Sequence, residues 1–356
     1  MGGRRAGGTG MNRPLVTVAF YVRNQAPFVE EALRSVLAQT YEPLQVVVSD
    51  DASDDGTYER MQAVLAGYQG PHTTVLNRNP RARGPGGQIN RIMELAQGEL
   101  VVQAHGDDVQ MPQRVQRLWE EWEAGGRRAK LLYSAMTAID AEGTVTGEVA
   151  YLPTASMRDV AGMLADLTGW RCLGCSAAFD RSVFDKFGRL VPEMMYEDRV
   201  LPVRARLLGE IKYVPEHLLK YRSHTGNISG IARVKSSRWG AYQRSQRAVQ
   251  FTSQALKGHL HDLRVARRTG LISAAVHREL RAVAGRPVLA LVLVPKLTSL
   301  PFSRRCIALR RAWRGRQDIG RFLNYPRGFQ QIVLAAISPS LLKGIMGMLD
   351  RFSPKG

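Results

Sequence analysis

The stretch LQVVVSDDASDDGT, Leu44–Thr57, decides how this chain is read. Its valine-rich first half, Leu44–Val48, has the pattern of a short buried strand. That strand runs directly into four aspartates, Asp50, Asp51, Asp54 and Asp55. Carboxylates this close repel one another, and a turn with no ligand to serve rarely collects them. Asp54 or Asp55 has a plain use in capping the helix that follows. Asp50 and Asp51 come straight off the strand, where an aspartate can accept the N–H of a nucleobase or a ribose hydroxyl.

Outward from this point the same unit repeats. Leu15–Tyr21 (LVTVAFY) reads as a strand, and Glu30–Gln39 as a helix with Ala32, Leu33, Val36 and Leu37 on one face. On the other side come a helix from Tyr58 to about Gly67 and a strand at Thr73–Leu76. A glycine-rich helix over Gly84–Gln97 follows, then a strand, Leu100–Ala104, that ends in a second acidic turn, His105–Asp108 (HGDD). Strands alternating with helices predict an α/β fold, a Rossmann-like, mostly parallel mixed sheet flanked by helices. In open sheets of this kind ligands bind beyond the carboxyl ends of the strands, where both acidic turns fall.

The alternation continues with a strand at Leu131–Ile139, a turn at Ala141–Gly147, a helix at Ser156–Leu167 and a strand at Cys172–Phe179. A helix at Glu197–Leu208 and short strands at Ile211–Val214 and Leu218–Tyr221 complete it. Strand signals stop near Ser237, and a domain boundary is expected near Gly230. Residues 1–13, rich in Gly and Arg, read as a disordered tail.

Charge divides the chain at the same place. The 356 residues carry a formal net charge of +19, but Ile231 onward holds 24 Lys and Arg against four acids. The body is therefore close to neutral and the last third strongly basic, which suits an anionic partner. Three cysteines make no disulfide framework, and a cytoplasmic setting is expected. Cys172 and Cys175 form a lone C-x-x-C, read as two thiols beside a buried strand rather than a zinc site. The most apolar run, Pro287–Phe302, is broken by Pro295 and Lys296 and is too short to span a bilayer.

Three further groups carry chemistry. His105-Gly106-Asp107-Asp108 has the residue types that hold a hard divalent cation, Mg²⁺ or Mn²⁺. Gly106 lets the backbone approach closely there. Tyr196-Glu197-Asp198-Arg199 places two carboxylates at the start of a helix. Tyr221–Asn227 (YRSHTGN) offers a metal ligand in His224 and a phosphate-binding cation in Arg222.

The order of these groups, PLVTVAFYVRN, EEALRSVLAQTY, VVVSDDASDDGT, NRIMELAQGELVVQAHGDD, YEDRVLPVRARLLG and KYRSHTGNIS, resembles the family 2 glycosyltransferases of GT-A fold. The resemblance covers Pro14 to Gly230. It implies an inverting transferase that takes a nucleoside-diphosphate sugar with Mg²⁺ or Mn²⁺ and passes the sugar to a glycan, lipid-linked or protein-linked hydroxyl. Carried over by position, Asp50 and Asp51 match the nucleotide-binding carboxylates, with Asn24 and Arg222 as further donor contacts. Asp107 and Asp108 match the metal-binding motif, with His105 and His224 as further ligands. Asp198 matches the general base, and Glu197 stands beside it. Trp170, Arg171 and Glu193–Tyr196 are expected on the acceptor side.

The sequence departs from the family at three places. His105 stands where many relatives have the first aspartate of D-x-D. Ala52 replaces a glycine, and Ile89 replaces an arginine.

In the basic third, Arg304, Arg305, Arg310, Arg311, Arg314 and Arg316 cluster beside an apolar stretch, and Gln331–Phe352 has few charges. Basic amphipathic helices of this sort lie on anionic membranes. Peripheral attachment at the cytoplasmic face is the expectation, with helical packing on the catalytic domain or binding of an acidic polymer as alternatives. No nucleic acid is expected as a partner, because aromatics do not interleave with the bases in a stacking pattern. An inactive GT-A module that binds a nucleotide sugar as a scaffold is the competing reading of the whole chain.

Overall fold

In the computed structural model we describe residues 13–166, 172–191, 194, 197–227 and 254–285. The first half follows the expected alternation: β1 (Val16–Val22), α1 (Val29–Leu37), β2 (Leu44–Asp50), α2 (Thr57–Ala66), β3 (Thr73–Arg78), α3 (Gly84–Leu95) and β4 (Leu100–His105). A two-residue strand β5 (Val109–Gln110) and a helix α4 (Arg114–Ala124) come next. After them lie β6 (Ala129–Ile139), β7 (Val145–Val149), α5 (Val160–Ala165), β8 (Ala177–Asp180), α6 (Ser182–Phe187), α7 (Leu201–Leu208) and β9 (Glu210–Arg222). Two helices close the described chain, α8 (254–268) and α9 (Ala274–Gly285).

Among the described residues the strands form one nine-stranded mixed sheet, ordered β3-β2-β1-β4-β8-β6-β9-β5 with β7 beside β6. β1 is parallel to β2 and β4, and β2 to β3, whereas β8 runs antiparallel to both β4 and β6. Helices cover both faces. Alternate residues of β1 show how, since side chains along a strand point to opposite sides. Val16, Val18, Phe20 and Val22 pack with α1, α2 and α4 on one face. Ala19 and Tyr21 pack on the other with α3, α5, α6 and α7, and with α8 and α9 through Ala255, Leu256, Leu263, Leu280 and Ala284.

Several elements differ from expectation for local reasons. α4 was not foreseen, although Val115, Leu118, Trp119 and Trp122 bury one face of it. The turn expected over Ala141–Gly147 is shorter, and β7 begins at Val145. The helix expected over Ser156–Leu167 is a 3-10 turn, Ala155–Arg158, and then α5, because Asp159 caps the Gly162 N–H and starts a new helix. The strand expected from Cys172 starts only at Ala177, after a 3-10 turn at Gly174–Ser176. Glu197–Arg199 is likewise a 3-10 turn set off from α7, whose first turn accommodates Pro202. Two expected short strands are one long β9, whose register with β6 shifts between Val214 and His217, around Pro215, a residue with no N–H to donate to a ladder.

Of the basic region beyond Gly230, the described helices α8 and α9 pack against the helical layer of the sheet. α8 is fixed to α7 by an ion pair at full burial, in which Arg204 Nε and Nη2 reach Asp262 Oδ2 and Oδ1 at 2.8 and 3.0 Å. Among the described residues no helix is long and apolar enough to cross a membrane. Residues 1–12 of the tail expected at 1–13, the apolar run Pro287–Phe302, the arginine cluster Arg304–Arg316 and the segment Gln331–Phe352 lie outside the described residues. So do Trp170, Arg171, Glu193, Met195 and Tyr196.

Candidate active site

Parallel register builds the site. Tyr21 at the end of β1 pairs with Ser49 in β2 and with His105 in β4, so three strands finish together. Their loops enclose a pocket of about 290 Å³. It is lined among others by Asn24, Asp51, His105, Asp107, Glu197, Asp198 and His224, seven of the ten residues expected from sequence. Asp50, Asp108 and Arg222 do not line it.

The first acidic turn holds the loop around the pocket. Asp51 is buried, and its Oδ1 accepts the Arg83 N–H at 2.8 Å and the Asn79 amide at 2.9 Å. Its Oδ2 accepts the Gly84 N–H at 2.8 Å, which sets the carboxylate at the N-terminus of α3. Asp50 points the other way, into the fold, where Oδ2 accepts the Ser53 N–H at 3.0 Å and faces Arg78 at 3.7 Å. Asp55 has the capping use expected of its pair. Burial alone would raise its pKa, but the Thr57 hydroxyl and the N–H groups of Ala26 and Thr57 outweigh this and hold it low. Asn24 joins the two loops: its N–H donates to Ser53 Oγ and its Oδ1 accepts the Asp54 N–H. Asn24 and Ala52 both sit at positive φ, 52° and 57°. Asn tolerates that region, whereas Ala carries strain there.

In the second acidic turn, a Cβ on Gly106 would meet Val22 Cγ1 at 2.2 Å, so no larger residue fits. Asp107 and Asp108 again diverge. Asp107 faces the pocket with His224 Nε2 at 3.2 Å and the Asn227 amide at 3.4 Å from its Oδ2. Asp108 is fully buried, and its Oδ1 accepts the Arg222 N–H at 3.0 Å. Burial, then the neighbouring Asp107 charge, push its carboxyl well above the usual range. The buried Cys175 thiol lies beside the same carboxyl. His105, Asp108 and Cys175 offer ligand atoms within 4.8 Å of one another. Both Cys172 and Cys175 are free buried thiols, and burial pushes both up.

Arg222 was expected to reach a phosphate, and the structure gives it another task. Nε donates to Asp107 O, Nη1 to Asp140 O and Ala141 O, and Nη2 to Glu31 Oε2 at 2.6 Å. Every guanidinium nitrogen is thus engaged in holding loops. The arginine that lines the pocket is Arg23, exposed at its rim and without a carboxylate partner among the described residues. Sequence reading passed over it, although it follows β1 as closely as Asp51 follows β2.

Glu197 and Asp198 enter from the opposite side. Glu197 is buried, and its Oε1 accepts the Tyr21 hydroxyl at 2.9 Å. Tyr21 was read only as an apolar strand residue, yet its hydroxyl also meets His105 Nε2 at 2.8 Å and the Gln103 amide at 3.0 Å. Burial and the Glu197 charge raise the Tyr21 pKa well above its ordinary value. Burial lowers that of His105 despite nearby Asp107 and Glu197. Behind the turn α8 approaches closely: a Cβ on Gly258 would lie 3.2 Å from Val200 Cγ2 and 3.4 Å from Met194 Cε. Met194 O in turn accepts the Gly86 N–H from α3 at 2.8 Å.

Asp51, Asp107, Glu197 and Asp198 place four carboxylates on one pocket, with Arg23 as the one fixed cation among its lining residues. A diphosphate brought there unaccompanied meets repulsion, whereas a divalent cation offsets it. The pocket-lining carboxylate of Asp107 beside the His224 imidazole is an oxygen and nitrogen donor pair that fits Mg²⁺ or Mn²⁺.

A mixed sheet with acid-tipped strand ends around one pocket is the arrangement that the resemblance to glycosyltransferases of GT-A fold implies. Residues 16–187, a little under half of the chain, match the model of glycosyl transferase family 2 and form a domain of that family. An uncharacterised glycosyltransferase of Nostoc sp. is 24% identical over 241 residues, covering 67% of this chain and 73% of its own. Among solved structures, S. aureus TarS 1–349 in complex with UDP-GlcNAc superposes with a TM-score of 0.51 at 14% identity, over 82% of each chain. The mannosyltransferase PcManGT of Pyrobaculum calidifontis, in complex with GDP-Man and Mn²⁺, gives 0.51 at 16% identity over 92% of this chain and 86% of its own.

Proposed function

We propose that the chain is an inverting glycosyltransferase that moves a sugar from a nucleoside-diphosphate sugar to the hydroxyl of a glycan, lipid-linked or protein-linked acceptor. The observation that carries this reading is the convergence of Asp51, Asp107, Glu197 and Asp198, from three separate loops, on one pocket. The nucleotide-sugar and Mn²⁺ complexes of the two structural neighbours support the choice of donor and ion.

Asp51 shapes the nucleoside side by fixing the loop at Arg83 and Gly84. Arg23 meets the diphosphate as a cation. Asp107 and His224 would hold Mg²⁺ or Mn²⁺, which supplies Lewis-acid stabilisation of the departing diphosphate. Asp198 takes the acceptor proton as general base while the acceptor oxygen bonds to the anomeric carbon. The bond from that carbon to the diphosphate oxygen breaks on the opposite face, so the configuration inverts. Glu197 keeps its place through Tyr21. The base, the acidic pair partner and a cation all reaching one pocket favour an enzyme over an inert scaffold.

Asp198→Asn tests the central assignment. Transfer should fall at least about 100-fold, the scale of a lost general base, while nucleotide-sugar binding in the presence of Mn²⁺ persists by calorimetry. Near-normal turnover in this variant would remove Asp198 from the role. Thermal-shift screening of UDP- and GDP-sugars with Mn²⁺ identifies the donor.

A further inference from the structure

The Tyr21 hydroxyl bridges the two sides of the pocket, through His105 in β4 and Glu197 in the turn before α7. A phenol has one proton and accepts through its oxygen. The hydroxyl donates to Glu197 Oε1 at 2.9 Å, and that contact uses its proton. The Gln103 amide at 3.0 Å is a donor to the same oxygen. His105 Nε2, at 2.8 Å, then has to bring its own hydrogen. A neutral imidazole with its proton on Nε2 has a lone pair on Nδ1, and Nδ1 has no hydrogen-bond partner among the described residues.

We infer that Tyr21 is a positioning residue: by donating to Glu197 it fixes His105 as the Nε2–H tautomer and leaves Nδ1 as the lone pair this imidazole offers within the pocket. The family resemblance left His105 as a departure of unknown effect. Here it is locked into an acceptor, the hydrogen-bonding character an aspartate would have at the same place, without the charge. The Tyr21 ring, edge-on to the imidazole with centroids 4.7 Å apart, restrains its rotation as well. The functional half of this inference rests on the glycosyltransferase reading; the tautomer does not.

Long-range ¹H–¹⁵N correlation spectra of the full chain, with ¹⁵N-labelled histidine and no nucleotide or metal, decide it at pH 8. His105, assigned by its loss in His105→Asn, should show the Nε2–H pattern. In Tyr21→Phe that pattern should give way to a tautomer mixture, and kcat should fall roughly 10–100-fold, the usual cost of removing a group that orients a functional residue. Donor KM should move far less than kcat, because the phenol touches no part of the nucleotide side. An Nδ1–H signal for wild-type His105 overturns the proposal and requires no variant to fold. So does a folded Tyr21→Phe, judged by its melting temperature, with an unchanged tautomer. If wild-type protein shows the Nε2–H pattern but transfers no sugar from any donor, the proposed function fails while the hydrogen-bond assignment stands.

Discussion

Two arginines that a sequence places equally near the pocket separate by what their nitrogens touch. Arg222 is 2% exposed with each nitrogen on a protein oxygen, whereas Arg23 is exposed at the rim. Arg23→Ala should raise donor Kd roughly 10–100-fold, the value of a charge-assisted hydrogen bond, with little change in melting temperature. Arg222→Ala should do the reverse and lower stability first, because Asp107 O, Asp140 O and Glu31 lose a buried donor. Titration calorimetry beside a thermal melt separates the two, and a swapped result would return Arg222 to the phosphate. The same scale shows what sequence could read. It located both acidic pairs, but consecutive residues leave the backbone on opposite sides, so one of each pair turns inward. Asp51 and Asp107 line the pocket while Asp50 and Asp108 enter the fold. Nothing in a one-dimensional string says which of two adjacent aspartates takes which side. Tyr21 escaped notice because its ring satisfies the pattern of a buried strand, and its hydroxyl has meaning only against partners 84 and 176 positions away.

Among elements, the strands and helices that carry strong periodicity, β1 to β4 and α1 to α3, stand close to where the sequence puts them. Those after His105 depart further, since there several limits come from single caps and prolines. The seat of α8 is the least legible of all, because it depends on a buried ion pair and apolar contacts between segments far apart in sequence. Asp262→Ala should cost about 3–5 kcal/mol, the penalty of stranding Arg204 without its partner. The double variant Arg204→Met, Asp262→Leu should recover most of that loss. Urea denaturation measures both; equal destabilisation of single and double variants would mean that the pair contributes through shape rather than charge.

At the scale of the whole molecule, the buried His259 is one of the groups that tie stability to pH. His259 in α8 is 1% exposed, neither ring nitrogen has a partner among the described residues, and burial with the Arg204 and Arg199 charges lowers its pKa to about 3. The unfolded chain binds a proton near the ordinary value of 6.5, but the folded chain does not until about 3. Stability is therefore fully present above 6.5 and declines as pH falls between these limits, by about 1.4 kcal/mol per pH unit for one proton. Melts at pH 7.5 and 5.5 should show this decline, and His259→Leu should flatten it by about one proton's worth. An unaltered slope would assign the acid sensitivity to other groups.

The close approach of Gly258 to Val200 and Met194 also orders events in time. A ribosome delivers the chain from its N-terminus, and units that are locally complete fold as they emerge. The strands bearing Asp51 and Asp107 can pair long before residue 258 leaves the exit tunnel. The turn bearing Glu197 and Asp198 meets its backing helix only some sixty residues after it has itself been made. A nascent chain thus forms the Asp51 and Asp107 side of the pocket before the turn bearing Glu197 and Asp198 has its backing helix.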